Sequence, residues 1–588
     1  MTGTLPAAWG GNGVFPAMTV LELELDISSM TGSLPSAWGG NNSFPALSDL
    51  LLTNDADKVS KLSGPLPESW ANPAAFPQLF LHLGSSRTDQ SCLSSTLPPE
   101  WGSPTVWQQL EEMYIAGCLE GTLPTSWGSS GAFPNLSLLT LELSNLSGTL
   151  PPSWGIGSFP ALQYLQIGAG ISGSNLLSGT LPPEWGDPSA FQNLVALSIA
   201  NCIIHGTLPD TWAIPGAFPE LNTMTVFGMP LTGTLPASWA NSASLPSLLS
   251  LGLGIDNAST AAGCISGPLP AAWGSPSAFQ QLQIFTLRAC IQGTLPPSWN
   301  QADAFPSMQF FEVENCQLTG TLPANWSPSL QFLDVAGNDL NGTLPAKLAS
   351  LMQLQQLTLN ANPFTGQLPA AWGAPGAFPE LFVLECYDTN IDGGLPDAWG
   401  SIQAFQELQI LYLYSNNIAG TLPDAWAQKG SFPSLLGLAI RNTLLTGTIP
   451  GSWSSAGAFP QLQILDLANT QIRGALPSFS NSGLSVIAME NCSFDSDLGP
   501  LWASFAPLQL ISLSNNSLSG SLPDTANGLG QLRFLNGRQS LGRDCAFVVA
   551  SSRQSAVSHL GPKCGSSMGR FAGTNKLVAR VVPEEVFV

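Results

Sequence analysis

The sequence has few charged residues, and basic residues are the scarcest of them. Lys and Arg together number 16 and His only 3 among 588 residues, whereas Asp and Glu number 38, so the net charge is −22. A chain this acidic repels phosphate backbones, which argues against nucleic acid as a partner. No run of about eighteen apolar residues occurs, so the sequence predicts no membrane-spanning helix.

Motifs that carry chemistry are also missing. His82, His205 and His559 are isolated from one another, and the chain has no H-E-x-x-H, C-x-x-C, P-loop or G-x-S-x-G motif. Acidic pairs such as Glu22 and Glu24 alternate along strand-like segments, as solvated residues do, and paired catalytic carboxylates would also need a cleft. We therefore predict no catalytic residue, no metal site and no cofactor.

One repeating unit fills most of the chain. The plainest copy begins at Leu344 and reads LPAKLASLMQLQQLTLNANPFTGQ, which matches the spacing L-x-x-L-x-L-x-x-N-x-L. Longer copies, such as the one from Leu123, carry Trp four residues after the first leucine. Of the 18 tryptophans only Trp107 lies outside this slot, in the place of a phenylalanine before the strand. At one per turn, we interpret these tryptophans as core residues rather than a cofactor site.

The unit and its G-x-L-P ending resemble the plant-specific leucine-rich repeats of receptor-like kinase ectodomains and polygalacturonase-inhibiting proteins. The GTLPxxWG form is also similar to repeat proteins of green algae and to surface antigens of kinetoplastids. The resemblance implies an α/β-type repeat solenoid of about twenty turns, a horseshoe or superhelix with a parallel concave β-sheet and little regular helix. A row of threonines before the leucines, among them Thr122, Thr149 and Thr180, suits a second short sheet.

The domain organisation follows from where the repeat occurs. Residues 1–536 are predicted to form the solenoid. Met1 occupies a position that an internal repeat residue, Met30, occupies later, so we expect the solenoid to be truncated at its N-terminus. Residues 537–588 are basic and lack the repeat. They are either a C-terminal cap with a possible disulfide between Cys545 and Cys564, or a segment that arose from an error in the gene sequence.

Asparagines and cysteines recur at one slot after each strand. Asparagine at this slot satisfies buried backbone groups of the turn, and cysteine is a recognised substitute. We predict a structural ladder of Asn338, Asn362, Asn416, Asn516, Cys202, Cys316 and Cys492. A fuller set of eight cysteines is interpreted as buried thiols, which adds Cys92, Cys118, Cys264, Cys290 and, on a strand, Cys386 to the three ladder cysteines.

The candidate binding residues lie at outward strand positions. All 5 tyrosines fall in strand segments between the inward leucines, and three of them cluster on two adjacent turns. Tyrosine among carboxylates and arginine is typical of recognition surfaces. The predicted site, with solvent-exposed side chains on the concave face, consists of Tyr387, Tyr412, Tyr414, Glu385, Glu312, Glu314, Asp388 and Arg441.

These observations favour a non-catalytic binding module that recognises a protein, peptide or glycan through its concave strand face, outside the cell or at its surface as part of a longer chain. The alternative is a structural or scaffold repeat protein inside the cell, in the cilium or in the cell wall, where the repeats would space other proteins.

Overall fold

The computed structural model describes residues 3–24, 31–53, 61–62, 64–75, 80–84, 95–117, 119–142, 145–155, 157–168, 176–241, 243–255, 263–301, 303–455, 457–478, 483–520 and 531–536. Cys92, Cys118, Cys545 and Cys564 lie outside these ranges, as does the predicted tail. The structural statements below concern the described residues.

One parallel β-sheet runs through the whole described chain. It has 20 strands, and each strand pairs in parallel with the corresponding strand of the next turn. The strands are Val20–Glu24, Asp49–Thr53, Phe80–Gly84, Glu112–Ala116, Leu138–Glu142, Tyr164–Gly168, Ala196–Ala200, Thr223–Phe227, Ser250–Gly254, Ile284–Arg288, Phe310–Val313, Phe332–Asp334, Gln356–Thr358, Val383–Glu385, Ile410–Tyr412, Gly437–Ala439, Ile464–Asp466, Val486–Ala488, Leu510–Ser512 and Phe534–Asn536.

The register of this sheet follows from the leucine spacing. In Ala196–Ala200 the side chains of Leu197 and Ile199 are buried, while Ser198 between them is only partly covered. Successive residues of a strand point to opposite faces, so the leucines of every turn meet in one continuous core. The residues between the leucines form the concave face, where Glu312, Asp334, Thr358, Glu385 and Tyr412 are register partners on consecutive turns.

Short strands pair along a second ladder where the chain leaves the sheet. They are Thr31–Gly32, Lys61–Leu62, Ser95–Thr96, Leu119–Glu120, Ser266–Gly267, Cys290–Thr294, Gln317–Thr321, Asp339–Asn341, Ala419–Thr421, Leu444–Thr446, Arg473–Gly474 and Ser493–Phe494. Gly148 has a φ of 79°, and a Cβ atom there would lie 2.9 Å from Cγ2 of Thr122 on the preceding turn. The threonine row and the following glycines therefore fit each other from turn to turn.

The opposite side of most turns is a short 3₁₀ helix. The helices are Ala7–Gly10, Ser36–Gly39, Glu68–Trp70, Pro99–Gly102, Thr125–Gly128, Pro152–Gly155, Pro183–Gly186, Asp210–Ala213, Ala237–Ala240, Ala271–Gly274, Pro297–Asn300, Ala346–Ser350, Ala370–Gly373, Asp397–Gly400, Asp424–Ala427, Gly451–Ser454 and Gly499–Phe505. Nearly all begin directly after the proline of the Leu-Pro pair, whose fixed φ suits a helix start but cannot continue a strand ladder.

The tryptophans of these helices form a ladder of their own. Trp372, Trp399 and Trp426 are fully buried and stack in parallel, with ring centroids 6.1 Å apart at each step. The Trp399 indole nitrogen also donates a hydrogen bond to the carbonyl oxygen of Pro369 on the preceding turn, at 3.0 Å. The same contact joins Trp127 to Pro98. Each of these indoles thus fills the core and also donates a hydrogen bond to a proline carbonyl group of the preceding turn.

The asparagines at the slot after each strand form hydrogen bonds with backbone groups of the turns. Asn338 is buried and donates from Nδ2 to the carbonyl oxygens of Val313 at 2.8 Å and Val335 at 3.0 Å, while its Oδ1 accepts from the Leu318 amide. Asn362 and Asn516 make the equivalent contacts, and Asn416 donates to the carbonyl of Cys386.

The cysteines of this slot differ from one another. The Cys202 thiol lies 3.3 Å from the carbonyl oxygen of Ala200, and Cys492 lies 3.3 Å from that of Leu467. Burial raises the pKa of the Cys202 thiol to about 12 and that of Cys316 to about 11, so both are protonated at neutral pH. Cys264 and Cys290, however, form a disulfide between consecutive turns, with Cα atoms 5.6 Å apart. The interpretation of this pair as buried thiols is wrong.

The predicted fold class is confirmed: a parallel-sheet solenoid with little helix. Within the described ranges the helical segments are all of the 3₁₀ type. No helix in that part of the chain combines the length and apolar character that crossing a membrane requires.

Candidate ligand-binding surface

The three tyrosines of the predicted site pack together on the concave face. Tyr387 and Tyr414 occupy the same position on adjacent turns, and their rings stack with centroids 4.2 Å apart and planes 15° from parallel. The Tyr412 ring is tilted against Tyr414 at 6.0 Å. Neighbouring parallel strands bring equivalent side chains within stacking distance, so the register allows this contact. We call these three residues the tyrosine cluster.

Arg441 extends the cluster by one more turn. Its guanidinium carbon lies 4.6 Å from the centroid of Tyr414, a cation–π contact. Its Nε is 3.6 Å from Oδ2 of Asp466, too long for a hydrogen bond, and this buried nitrogen has no hydrogen-bond partner. Tyr387, Tyr414 and Arg441 therefore form one stack along the solenoid axis, with Tyr414 covered on both faces.

A second arginine of the concave face forms ion pairs with carboxylates instead of a contact with an aromatic ring. Arg288 lies 2.9 Å from Oε1 of Glu312 through Nη2 and 2.5 Å from Oε1 of Glu314 through Nε. Both carboxylates of this predicted pair are thus engaged within the protein. Their strand precedes that of Glu385 by three turns, which separates this ion-pair group from the tyrosine cluster by about 14 Å at the usual spacing of strands.

Carboxylates occupy the central concave position between the two groups. Burial raises the pKa of Asp334 to about 7. A hydrogen bond from the Ala336 amide opposes this shift, and the negative charges of Glu314, Glu312 and Glu385 add to it. Burial also raises the pKa of the Glu385 carboxyl. Beyond the cluster, burial raises the pKa of Asp466 to about 6 although Arg441 opposes the shift. The concave face is therefore negatively charged, and some of its carboxyl groups change protonation state near neutral pH.

The phenols of the cluster are neutral at physiological pH. Burial, followed in size by repulsion from the Glu385 carboxylate, raises the pKa of Tyr412 to about 12. The pKa values of Tyr387 and Tyr414 are also raised, chiefly by burial. The cluster can thus offer aromatic surface and neutral hydroxyl groups to a ligand.

Several predicted features of this surface change in the structure. The tyrosines of the cluster are half-buried and pack on one another instead of standing free in solvent. Asp388 is exposed and has a backbone φ of 50°, beyond the end of the strand. Sequence reasoning missed Arg288 and Asp466, although Arg288 contacts Glu314 on the next turn and Asp466 lies one turn from Arg441.

A second polar group occupies the concave face nearer the N-terminus. The Tyr114 hydroxyl donates to Oε2 of Glu142 at 3.0 Å, and Gln166 donates to Oε1 of the same carboxylate at 2.7 Å. His82 lies 3.4 Å from Glu112. Tyr164, by contrast, is 45% exposed and has no aromatic contact among the described residues. Here the carboxylate is already satisfied by its neighbours, so the tyrosine cluster remains the better candidate for ligand contacts.

The comparisons with known proteins agree with this architecture. The family model for the leucine-rich repeat matches residues 329–351, 407–428 and 507–529. These three segments are leucine-rich repeats, and the chain has the solenoid fold of leucine-rich-repeat proteins. A search among curated protein sequences finds no significant match for it.

Solved structures share the fold of this chain over most of its length. The plant peptide hormone receptor RGFR1 in complex with RGF2 is 24% identical, with 92% of this chain and 81% of that chain covered and a TM-score of 0.66. A TDR receptor is 20% identical, with coverages of 91% and 82% and a TM-score of 0.64. The Arabidopsis receptor kinase HAESA, in complex with the peptide hormone IDA and the co-receptor SERK1, is 21% identical, with coverages of 89% and 87% and a TM-score of 0.58.

Proposed function

We propose that this protein is a non-catalytic recognition module that binds an extended peptide across its concave face, with the tyrosine cluster as the anchor. The observation that carries the proposal is the composition of the face around the cluster. Ala336, Ala439 and Ala468 occupy outward positions on the flanking turns. The half-buried rings and the Arg441 guanidinium thus stand among small side chains, where a ligand can reach them.

The choice of a peptide rests on geometry and on likeness. An extended peptide can follow the row of strands and contact one residue on each turn, as a solenoid's long concave surface allows. Two structural neighbours, RGFR1 and HAESA, were solved with peptide hormones. That likeness concerns the fold, and we extend it to this chain as part of the proposal.

We further propose that the protein works outside the cell. The disulfide between Cys264 and Cys290 supports this, because disulfides form and persist in oxidising compartments and are rare in the reducing cytosol. A scaffold inside the cell would have no use for it.

Selection from a displayed library of random 12-residue peptides tests the binding function. We expect peptides that bind the wild-type protein to lose about thirtyfold in affinity or more for Tyr387→Ala or Tyr412→Ala, as is usual for central anchors. Tyr164→Ala, an exposed tyrosine of the same concave face, is the matched control and should bind normally. Failure to select any binder, or equal binding by all three variants, would contradict the proposal and favour a scaffold.

A further inference from the structure

The stack of Tyr387, Tyr414 and Arg441 is closed at one end and open at the other. Arg441 covers the outer face of Tyr414, and Tyr387 covers its inner face. The second face of Tyr387 points back along the axis, toward the preceding turns. Among the described residues, no aromatic or cation–π contact covers that face.

The positions next to the open face carry short side chains. The register that pairs Glu385 with Thr358 places Asn360 beside Tyr387, and the next turn back places Ala336 there. Both are much shorter than a tyrosine ring, so the stack ends in a step. The Asn360 Oδ1 atom is buried at this step without a hydrogen-bond partner, and a buried acceptor in that state favours a ligand that brings a donor.

The charges around the step have one sign. Glu385 and Asp334 lie at the strand ends of the same turns, two residues before Tyr387 and Ala336. The Arg288 guanidinium is held by Glu312 and Glu314, farther along the face. At the step itself, two carboxylates therefore have no ion-pair partner among the described residues. An aromatic face beside carboxylates and an unpaired acceptor suits a cation that also donates hydrogen bonds.

We propose that the open face of Tyr387 receives a cationic side chain, an arginine or lysine of the peptide ligand. The guanidinium or ammonium group stacks on Tyr387, donates to Oδ1 of Asn360 and is paired by Glu385 and Asp334. The ligand cation then continues the stack that Arg441 closes at its other end. This inference rests on the proposed peptide-binding function and specifies the ligand chemistry of the same site.

The proton equilibrium of Asp334 adds a second readout. Its pKa of about 7 reflects burial together with repulsion from Glu314, Glu312 and Glu385. A bound cation favours the ionised carboxyl, so binding releases a proton and affinity should rise as pH increases from 6 to 8. Asp334→Asn should flatten that dependence, while Arg288 and its two glutamates remain paired in both proteins.

The test uses peptides selected from the random library and removes the positive charge of their side chains while keeping the rest of each peptide unchanged. Arg is replaced by citrulline and Lys by acetyl-lysine, and the affinity of each peptide is measured with wild-type protein, Glu385→Gln and Glu490→Gln. We expect selected peptides to be rich in Arg or Lys, and the neutral peptides to bind at least tenfold more weakly to the wild type. In Glu385→Gln that penalty should shrink severalfold.

Glu490→Gln is the matched control because it removes one carboxylate from the same face on the Arg441 side of the stack. It should leave the penalty intact. Peptides that bind through the tyrosine cluster but tolerate citrulline, or that are rich in Asp or Glu and depend on Arg441, would overturn this inference while sustaining peptide binding. Peptides whose binding ignores the tyrosine cluster would overturn both.

Discussion

The two sides of each turn use aromatic residues in opposite ways. On the 3₁₀ side, tryptophans recur at one slot, and most of them, such as Trp127 and Trp399, lie fully buried and hydrogen-bond the turn before. On the strand side, the tyrosine cluster occupies only two turns, and its members are half-buried and contact mainly one another and Arg441. Regular repetition of an aromatic residue thus marks the core of the solenoid, and local concentration marks a candidate surface. The following experiments act on this contrast.

The largest effect is expected from the tryptophan ladder. Trp399→Ala should lower the free energy of unfolding by about 3–5 kcal/mol, because it opens a cavity and leaves the Pro369 carbonyl without its donor. Chemical denaturation measures this change. Trp399→Leu is the control, since Leu348 fills the same slot naturally and is fully buried there, and it should cost clearly less. Equal losses for the two variants would show that volume at this slot is unimportant.

The disulfide should contribute the next largest effect. Replacing both Cys264 and Cys290 by serine removes a cross-link between residues 26 apart, and such links typically contribute about 2–4 kcal/mol. We expect a lower melting temperature in non-reducing buffer. Under a reductant that opens the bond, wild type and variant should melt alike. A peptide map without reductant that lacks the Cys264–Cys290 linked fragment would contradict the assignment.

The tyrosine cluster should have a smaller effect on stability. Tyr414→Ala removes a ring held between Tyr387 and Arg441, and we expect a loss of about 1–2 kcal/mol, given the usual energy of aromatic pairs and partial burial. Tyr164→Ala should stay within about 0.5 kcal/mol, because this ring is exposed. If the two variants unfold identically, the stack contributes nothing to folding.

The last effect concerns the pH dependence of stability. Because Asp334 has a pKa of about 7 in the folded protein and about 3.9 when unfolded, the folded state binds more protons in between. Folding is therefore destabilised as pH rises from about 4 to 7. The Asp334→Asn variant lacks this titrating carboxyl group. Its melting temperature minus that of the wild type should therefore increase between pH 5 and pH 8. A constant difference over this range would contradict the raised pKa.

The repeat period explains what could be predicted from the sequence. Once Leu357 and Leu359 are assigned to the core, alternation places Thr358 on the concave face, and the same register applies to every turn. Tyr387, Tyr414 and Arg441 could be assigned to one surface in this way. Their stacking could not, because it depends on side-chain rotamers that the period does not determine.

Two other features were hidden by the repeat itself. Cys264 and Cys290 occupy a slot that accepts asparagine, which suggested isolated thiols, yet they lie one turn apart at equivalent positions. That spacing was the available signal, because equivalent residues on adjacent turns come within disulfide reach. The indole hydrogen bond could not be predicted from the sequence either. Its acceptor is the carbonyl oxygen of a turn proline, and only the structure places that proline beside the indole of the next turn.

The parallel tryptophans also have an optical consequence. Indoles stacked at 6.1–6.4 Å, such as Trp101 with Trp127 and Trp399 with Trp426, are close enough to exchange excitation energy between turns. Light absorbed by one ring is then emitted by another, and because the rings are nearly parallel the transfer itself changes the polarisation of the emission little. Leu348 interrupts this transfer between the two halves of the solenoid. Unfolding separates the rings and ends this exchange, so the intrinsic fluorescence of the tryptophans can follow the opening of the ladder without an added label.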